Sequence, residues 1–327
     1  MSASIEEKTH KYKKPTYKEI DGFRIPTAFS DDGYRSALAY IPRPDDLFLV
    51  TFPKCGTTWV QNLVALIFRE GKPFTSGLEF FMHAPFLELT GAEGAEKMKR
   101  PGSVKIHLPF QKAPYSPEAK YIFIARNPKD CCVSHYHHTK NGFGYVFADG
   151  TFDDFFENFI KGEVGFGDYF ETTLSWWEHR NDPNVLFITY EMLKKDTINT
   201  TLKIAGFIGP EYKEKLEKDP KMLQDVIHHS SFDFMNEYMK KHMNEMLTLP
   251  KEQIRNNPDI PSGLKAMLLS VPDDILEQNE SPTSLVRKGI VGDWRNYFSA
   301  SQSDRMDQKM KVKFAGTALL ELWKGEI

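Results

Sequence analysis

Four short, almost uninterrupted apolar runs punctuate the chain: Leu47–Phe52, Ser103–His107, Tyr121–Arg126 and Val185–Tyr190. Each is rich in Val, Ile, Leu or Phe and bounded by Pro, Gly or a charge, the pattern of a strand buried on both faces. Longer helix-like stretches separate them, over 59–69, 151–161 and 168–180. Strands alternating with helices predict an α/β fold with a central parallel sheet flanked by helices. After about residue 195 the pattern turns mostly helical, with Asn- and Pro-rich interruptions between 246 and 284. Residues 1–35 are mixed and charged and read as an arm lying across the surface. The chain shows no internal repeat, low-complexity tract or clear linker, so residues 36–327 are expected to form one domain.

Ligands of such sheets bind beyond the carboxyl ends of the strands. Those ends carry Lys54, His107, Arg126 and Tyr190. Three can donate to an anion, and His107 can also act as a base. After the first strand, Pro53-Lys54-Cys55-Gly56-Thr57-Thr58 leads into an apolar helix expected to start near Thr58. A tight turn at Gly56 leaves backbone N–H groups pointing out of the helix start, where they and the helix dipole favour a phosphate. The loop is not a Walker A motif, whose lysine follows the second glycine; here Lys54 precedes the glycine.

A magnesium-dependent nucleotide kinase would need a carboxylate near the end of a neighbouring strand. "AKYIFIARNPKD" ends instead in Arg126, which clamps a second anion in a forked manner. Pro128 suits the first position of the following helix, which carries Ser134 about two turns on. Near the other end, "SLVRKGIVGDWRNYF" joins Arg287 and Lys288 to Gly289 and Gly292. With Lys54 and Arg126 this matches a nucleotide bearing two separate phosphate groups, and it makes the kinase the alternative reading.

At this point the residues resemble a family. "FPKCGTTW" is similar to the 5′-phosphosulfate loop of cytosolic sulfotransferases, "IARNPKDCCVSHYHH" to their 3′-phosphate segment and "RKGIVGDWRN" to their C-terminal signature. "KIHLPF", "GEVGFGDYFETTLSWWEHR" and "VLFITYEMLKKD" fall in the family's order, and the resemblance covers most of residues 37–298. It implies a single domain with a P-loop-like phosphosulfate-binding loop. It also implies 3′-phosphoadenosine 5′-phosphosulfate (PAPS) as co-substrate, adenosine 3′,5′-bisphosphate as product, and sulfuryl transfer to a hydroxyl or amine of a small, aromatic acceptor, as in xenobiotic or hormone conjugation.

Carried over by residue, the resemblance assigns the 5′ end of the donor to Lys54, Gly56, Thr57 and Thr58. Trp59 and Phe232 take the two faces of the adenine, and Tyr190 and Ser230 hydrogen-bond the nucleoside. Arg126, Ser134, Arg287, Lys288 and Gly289 take the 3′-phosphate. The catalytic set is His107 as general base, with Lys54, Lys105 and Ser134. Aromatics in the loops "EFFMHAPFLE" and "NGFGYVFADG" (Phe80, Phe81, Phe86, Phe143, Tyr145 and Phe147) are candidates to line a flat apolar acceptor pocket beside Lys105 and His107. The family usually has Ser where Cys55 stands. The stretch from Met246 to Ser281, longer than in typical members, lies where a lid over the acceptor would lie. The family's dimer motif, Lys-x-x-x-Thr-Val-x-x-x-Glu, survives only as Arg295, Ser299-Ala300 and Asp304, which leaves a homodimer open.

Charge and cysteine content narrow the setting. With 327 residues and a net charge of −3, a nucleic-acid partner is not expected, and any anion site must be a local basic cluster. Cys55, Cys131 and Cys132 form no C-x-x-C arrangement, so neither structural zinc nor a disulfide framework is expected. His135, His137 and His138 of "SHYHHTK" have no Cys or carboxylate to complete a zinc set. The N-terminus has no apolar signal core and no run is long enough to span a bilayer, which points to a soluble, reducing, cytoplasmic setting without a membrane partner.

Overall fold

The computed structural model describes residues 13–142, 144–271 and 287–325. It begins with an antiparallel hairpin, β1 (Lys18–Ile20) and β2 (Phe23–Ile25). The two turn residues, Asp21 and Gly22, have φ of 51° and 73°. That is the left-handed geometry of a two-residue hairpin, for which Asp-Gly is a preferred sequence. Ile20, Phe23, Ile25, Phe29 and Tyr34 are buried in an apolar cluster with Phe86, Leu108 and Phe166. The helix Asp31–Leu38 crosses the boundary expected at 35/36. The described part of the arm is thus built into the fold.

The four apolar runs form one parallel sheet. β3 (Leu47–Thr51) and β5 (Lys120–Ala125) are central, with β4 (Val104–Ile106) beyond β3 and β6 (Val185–Thr189) beyond β5. The register pairs Val50 with Ile106 and Phe123, and Phe123 with Phe187. Alternate side chains split between two cores, as strand periodicity demands. Phe48, Val50, Ile106, Tyr121 and Phe123 pack with Trp176, Phe155 and Phe159 on one face. Leu49, Ile122, Ile124 and Ile188 pack on the other face against Val60, Leu63, Val64 and Ile67 of the helix Thr57–Phe68. Because all strands run the same way in register, their carboxyl ends share one edge, and the next residues of the chain must emerge together there.

The part of the expected lid that is described, 246–271, continues from the helix Phe232–Leu247 into Lys251–Asn256 and Ser262–Leu269. Its Met246, Leu247, Ile254, Leu264 and Leu268 are buried in the cluster that holds the hairpin. The remainder of that lid expectation, 272–281, lies outside the described residues. Of the dimer-motif remnant, Ser299 caps the helix Ala300–Lys313 in a reciprocal box with Gln302. Cys55, Cys131 and Cys132 are free and buried. No helix among the described residues is long and apolar enough to cross a membrane.

Trp176, fully buried, ties one core to the sheet. Its indole N–H donates to the Leu108 carbonyl at 3.0 Å, and its ring lies parallel to Phe123 at 5.9 Å. Trp176→Ala should therefore lower unfolding free energy by about 3–5 kcal/mol. Urea denaturation checks this, and a midpoint unchanged from wild type would contradict the packing described.

Candidate active site

The loop after β3 owes its shape to two residues in left-handed conformation, Lys54 (φ 70°) and Gly56 (φ 98°). For a lysine this is strained backbone, of the kind held at functional sites by surrounding structure. Glycine is required at 56 for a second reason: a Cβ there would stand 2.8 Å from the Tyr190 ring. Gly56 occupies the N-cap of the helix Thr57–Phe68 and brings no side chain to cap it. The first-turn amides are consequently left for another acceptor. Gly56, Thr57, Thr58 and Trp59 line a cavity of about 310 Å³, a size suited to small molecules.

His107 follows β4 into the same cavity. Its Nδ1 lies 2.8 Å from the Thr51 carbonyl and 3.0 Å from the Thr51 hydroxyl. A carbonyl only accepts, so the proton resides on Nδ1 and Nε2 is left bare. Burial, reinforced by the charge of Lys105, holds the imidazole well below its usual range, which keeps it neutral and able to take a proton. The Thr51 hydroxyl also lies 2.6 Å from that of Thr57, linking base and phosphate loop through one side chain.

Glu88 was not singled out by sequence reasoning. It is fully buried, and its Oε1 accepts the His107 backbone N–H at 2.5 Å, while Oε2 finds no partner among the described residues. Burial pushes its carboxyl up to about 8, against the opposing pull of the His107 N–H and Lys105. Lys105 sits 4.0 Å above the Phe86 ring. Burial lowers Lys105 to about 8.

The second set of cations gathers opposite. Arg126 donates from Nη1 to the Lys54 carbonyl at 3.1 Å and from Nη2 to the Ile290 carbonyl at 3.3 Å. Its Nε has no partner among the described residues. Arg287 and Lys288 donate to Asp293 at 2.5 and 2.9 Å, leaving Nε and Nη1 of Arg287 buried and unpaired among those residues. Burial works to raise the Asp293 carboxyl, but hydrogen bonds from Lys288, Asn296 and Arg287 prevail and hold it down at about 2. Asp130 accepts the Gly292 and Trp294 amides at 2.6 and 3.0 Å, fastening this loop to the helix that follows Arg126. Gly289 has φ 65°, and a Cβ there would meet the Phe232 ring at 2.3 Å. Half-buried Lys54, removed from bulk water and facing Lys105, Arg126 and Arg287, falls to about 7.

One cavity therefore gathers Lys54, Gly56, Thr57, Thr58, Trp59, Lys105, His107, Arg126, Ser134, Tyr190, Ser230, Phe232, Arg287, Lys288 and Gly289. The Ser230 hydroxyl is already engaged in donating to the Ile227 carbonyl at 3.1 Å, so it meets any ligand as an acceptor. Phe80, Phe81, Phe86 and Tyr145 also line the cavity. Phe147 does not: it turns into the core beside Phe155, because Gly150 leaves room for its ring. Phe143 lies outside the described residues. Phe29, Phe166, Met243 and Met267 complete the apolar wall without having been singled out. Among the described residues no group of three or more His, Cys, Asp or Glu could hold a metal ion.

The family model described as "Sulfotransferase domain" matches residues 44–318. Sulfotransferase 1C2 of Oryctolagus cuniculus is 31% identical over 94% of this chain and 95% of its own length. Human sulfotransferase 1E1 is 33% identical over 86% of this chain and 87% of its own length. Mouse sulfotransferase SULT7A1, solved in complex with PAP, superposes with a TM-score of 0.67 at 26% identity, covering 94% of this chain and 98% of that one. Retinol dehydratase, solved with retinol and PAP, shares the fold at a TM-score of 0.66 and 22% identity, covering 93% and 92%. The chain belongs to the sulfotransferase family, and it is a transferase of that class rather than a kinase.

The buried carboxyl of Glu88 gives a pH signature. Its pKa in the folded chain is about 8, above the usual value of 4.5, so the folded state holds a proton that the unfolded state releases. Its contribution is then complete below about pH 4.5 and is lost as pH rises towards 8. Glu88→Gln keeps an acceptor for the His107 N–H and removes the titration. The variant should gain stability relative to wild type on going from pH 4.5 to pH 8 in denaturant unfolding, and a constant difference would contradict the assignment.

Proposed function

We propose that the protein transfers the sulfuryl group of PAPS to a hydroxyl or amine of a small, largely aromatic acceptor, with His107 as general base. The observation that carries this reading is a neutral imidazole, bare at Nε2, in the same cavity as the uncapped start of the helix Thr57–Phe68 and the Arg126 cluster. The residues suit a nucleotide with anions at two places. Gly56 and Gly289 are sites that a Cβ would fill, and Arg126 Nε, Arg287 Nε and Nη1, and Trp59 Nε1 are buried polar atoms without partners among the described residues. The PAP complex of mouse SULT7A1 supports the same choice of donor.

PAPS, when bound, supplies the activated sulfuryl group. Lys54, Gly56, Thr57 and Thr58 would hold its 5′ end, and Arg126, Ser134, Arg287, Lys288 and Gly289 its 3′-phosphate. Trp59 and Phe232 would flank the adenine, with Tyr190 and Ser230 on the nucleoside. His107 Nε2 takes the acceptor's proton as its oxygen bonds to sulfur. The electron pair of the breaking sulfur–oxygen bond remains on the phosphate oxygen, where Lys54 and the first-turn amides meet the charge. The apolar wall of Phe80, Phe81 and Phe86 would hold the acceptor.

Two measurements test this reading. His107→Ala should lose about 10²–10⁴-fold in turnover while still binding adenosine 3′,5′-bisphosphate in calorimetry; near-normal turnover would contradict the role. Lys54, at about 7 without ligand, should be driven to the charged form by an incoming phosphate. Binding at pH 8 should then take up a proton, and affinity should fall as pH rises from 7 to 9. Calorimetric heats should differ between buffers of unlike ionisation enthalpy, and most of that difference should vanish in Lys54→Met. Buffer-independent heats for the wild type would exclude this proton uptake.

A further inference from the structure

Three histidines follow Ser134, and the donor site uses none of them. His137 turns aside, its Nε2 lying 2.9 Å from the Tyr297 hydroxyl. His135 and His138, one helical turn apart on the helix Pro128–Asn141, both line the cavity. His135 is 2% exposed and stands edge-on to Phe52 and Phe155, with centroids 5.7 and 5.2 Å away. Its Nδ1 has no partner among the described residues, and neither has Nδ1 of His138. His138 Nε2 lies 3.4 Å from the Tyr145 hydroxyl, itself on the cavity wall.

Buried polar atoms are nearly always paired, so unpaired ones on a cavity wall point to a ligand. Burial holds both rings well below the usual imidazole range. Each is therefore neutral, with one N–H donor and one bare nitrogen, which is the complement of a hydroxyl rather than of a carboxylate or an ammonium. Both rings line the same cavity as His107. The two histidines thus share the cavity with the proposed base, in a wall that also holds the apolar Phe80, Phe81 and Phe86.

Building on the proposed sulfuryl transfer, we infer that His135 and His138, with Tyr145, form a second polar subsite for a hydroxyl adjacent to the one that is sulfated. The favoured acceptors are then vicinal dihydroxy compounds, such as catechols.

The test compares matched pairs with radiolabelled PAPS: 4-methylcatechol against 4-methylphenol, and cis-1,2-cyclohexanediol against cyclohexanol. Wild type should favour the dihydroxy member of each pair it turns over by at least about tenfold in kcat/KM, the scale of one well-made hydrogen bond. His135→Phe and His138→Phe should each bring that ratio towards one, and His137→Phe should preserve it. Equal kcat/KM within the pairs for wild type, or a ratio that survives both substitutions, overturns the subsite. Calorimetry on wild type loaded with adenosine 3′,5′-bisphosphate reads the same subsite without turnover. Equal affinity for 4-methylcatechol and 4-methylphenol there also overturns it. Tighter binding of the catechol with no transfer to any of the four compounds upholds the subsite and contradicts the transfer reading instead.

Discussion

The guanidinium of Arg126 is the pin on which the site turns. Set at the end of a central strand, it donates to the carbonyl of Lys54 on one loop and to that of Ile290 on another, 164 residues away in sequence. Its flat face lies 4.3 Å over the Tyr190 ring, and that ring in turn limits position 56 to glycine. Only a planar fork can serve two carbonyls and an aromatic face at once; a lysine would keep the charge and lose the geometry. Asp130 repeats the clamp one turn on, and buried Lys129 lies 4.3 Å from the Trp294 ring. The segment Arg126–Asp130 thus joins two cation-bearing loops into one cradle.

That arrangement reaches the phosphate loop through Lys54, which faces both Arg126 and Arg287. Burial lowers both Lys54 and Lys105 well below the ordinary lysine value, and for Lys54 the charges of Lys105, Arg126 and Arg287 add to the effect. Burial, reinforced by the charge of Lys105, keeps His107 neutral. Under the proposed reading, an incoming dianion would restore charge to Lys54, and His107 would serve as the base. Thr51 couples the two halves: its carbonyl fixes the tautomer of His107, and its hydroxyl meets that of Thr57 at the start of the phosphate-loop helix.

Much of this was legible in the chain because it is written locally. Strand periodicity, the Pro and Gly that punctuate it, and the charged residue closing each strand located the sheet to within a residue or so at most ends, and with it Lys54, His107, Arg126 and Tyr190. What escaped depends on tertiary placement. Glu88 reads as one more acid in "PFLEL", and only the fold puts it under the His107 amide. Asp130 and Asp293 look like ordinary surface acids until the loop they fasten is in place. Phe147 belongs to the core because Gly150 opens space for it. The hairpin around Asp21-Gly22 carried a clear turn signal that the charged character of residues 1–35 obscured. Likewise, His135 and His138 acquire meaning only once their helix is seen to face the cavity.

The central claim is that two anion-binding loops serve a single nucleotide beside one neutral imidazole. A crystal structure of the protein with adenosine 3′,5′-bisphosphate tests it most directly. The account predicts the 5′-phosphate at the first-turn amides of Gly56–Thr58 and the 3′-phosphate at the guanidinium groups of Arg126 and Arg287. A nucleotide seated outside this cavity, or reaching one loop while its other phosphate lies in solvent, would contradict it.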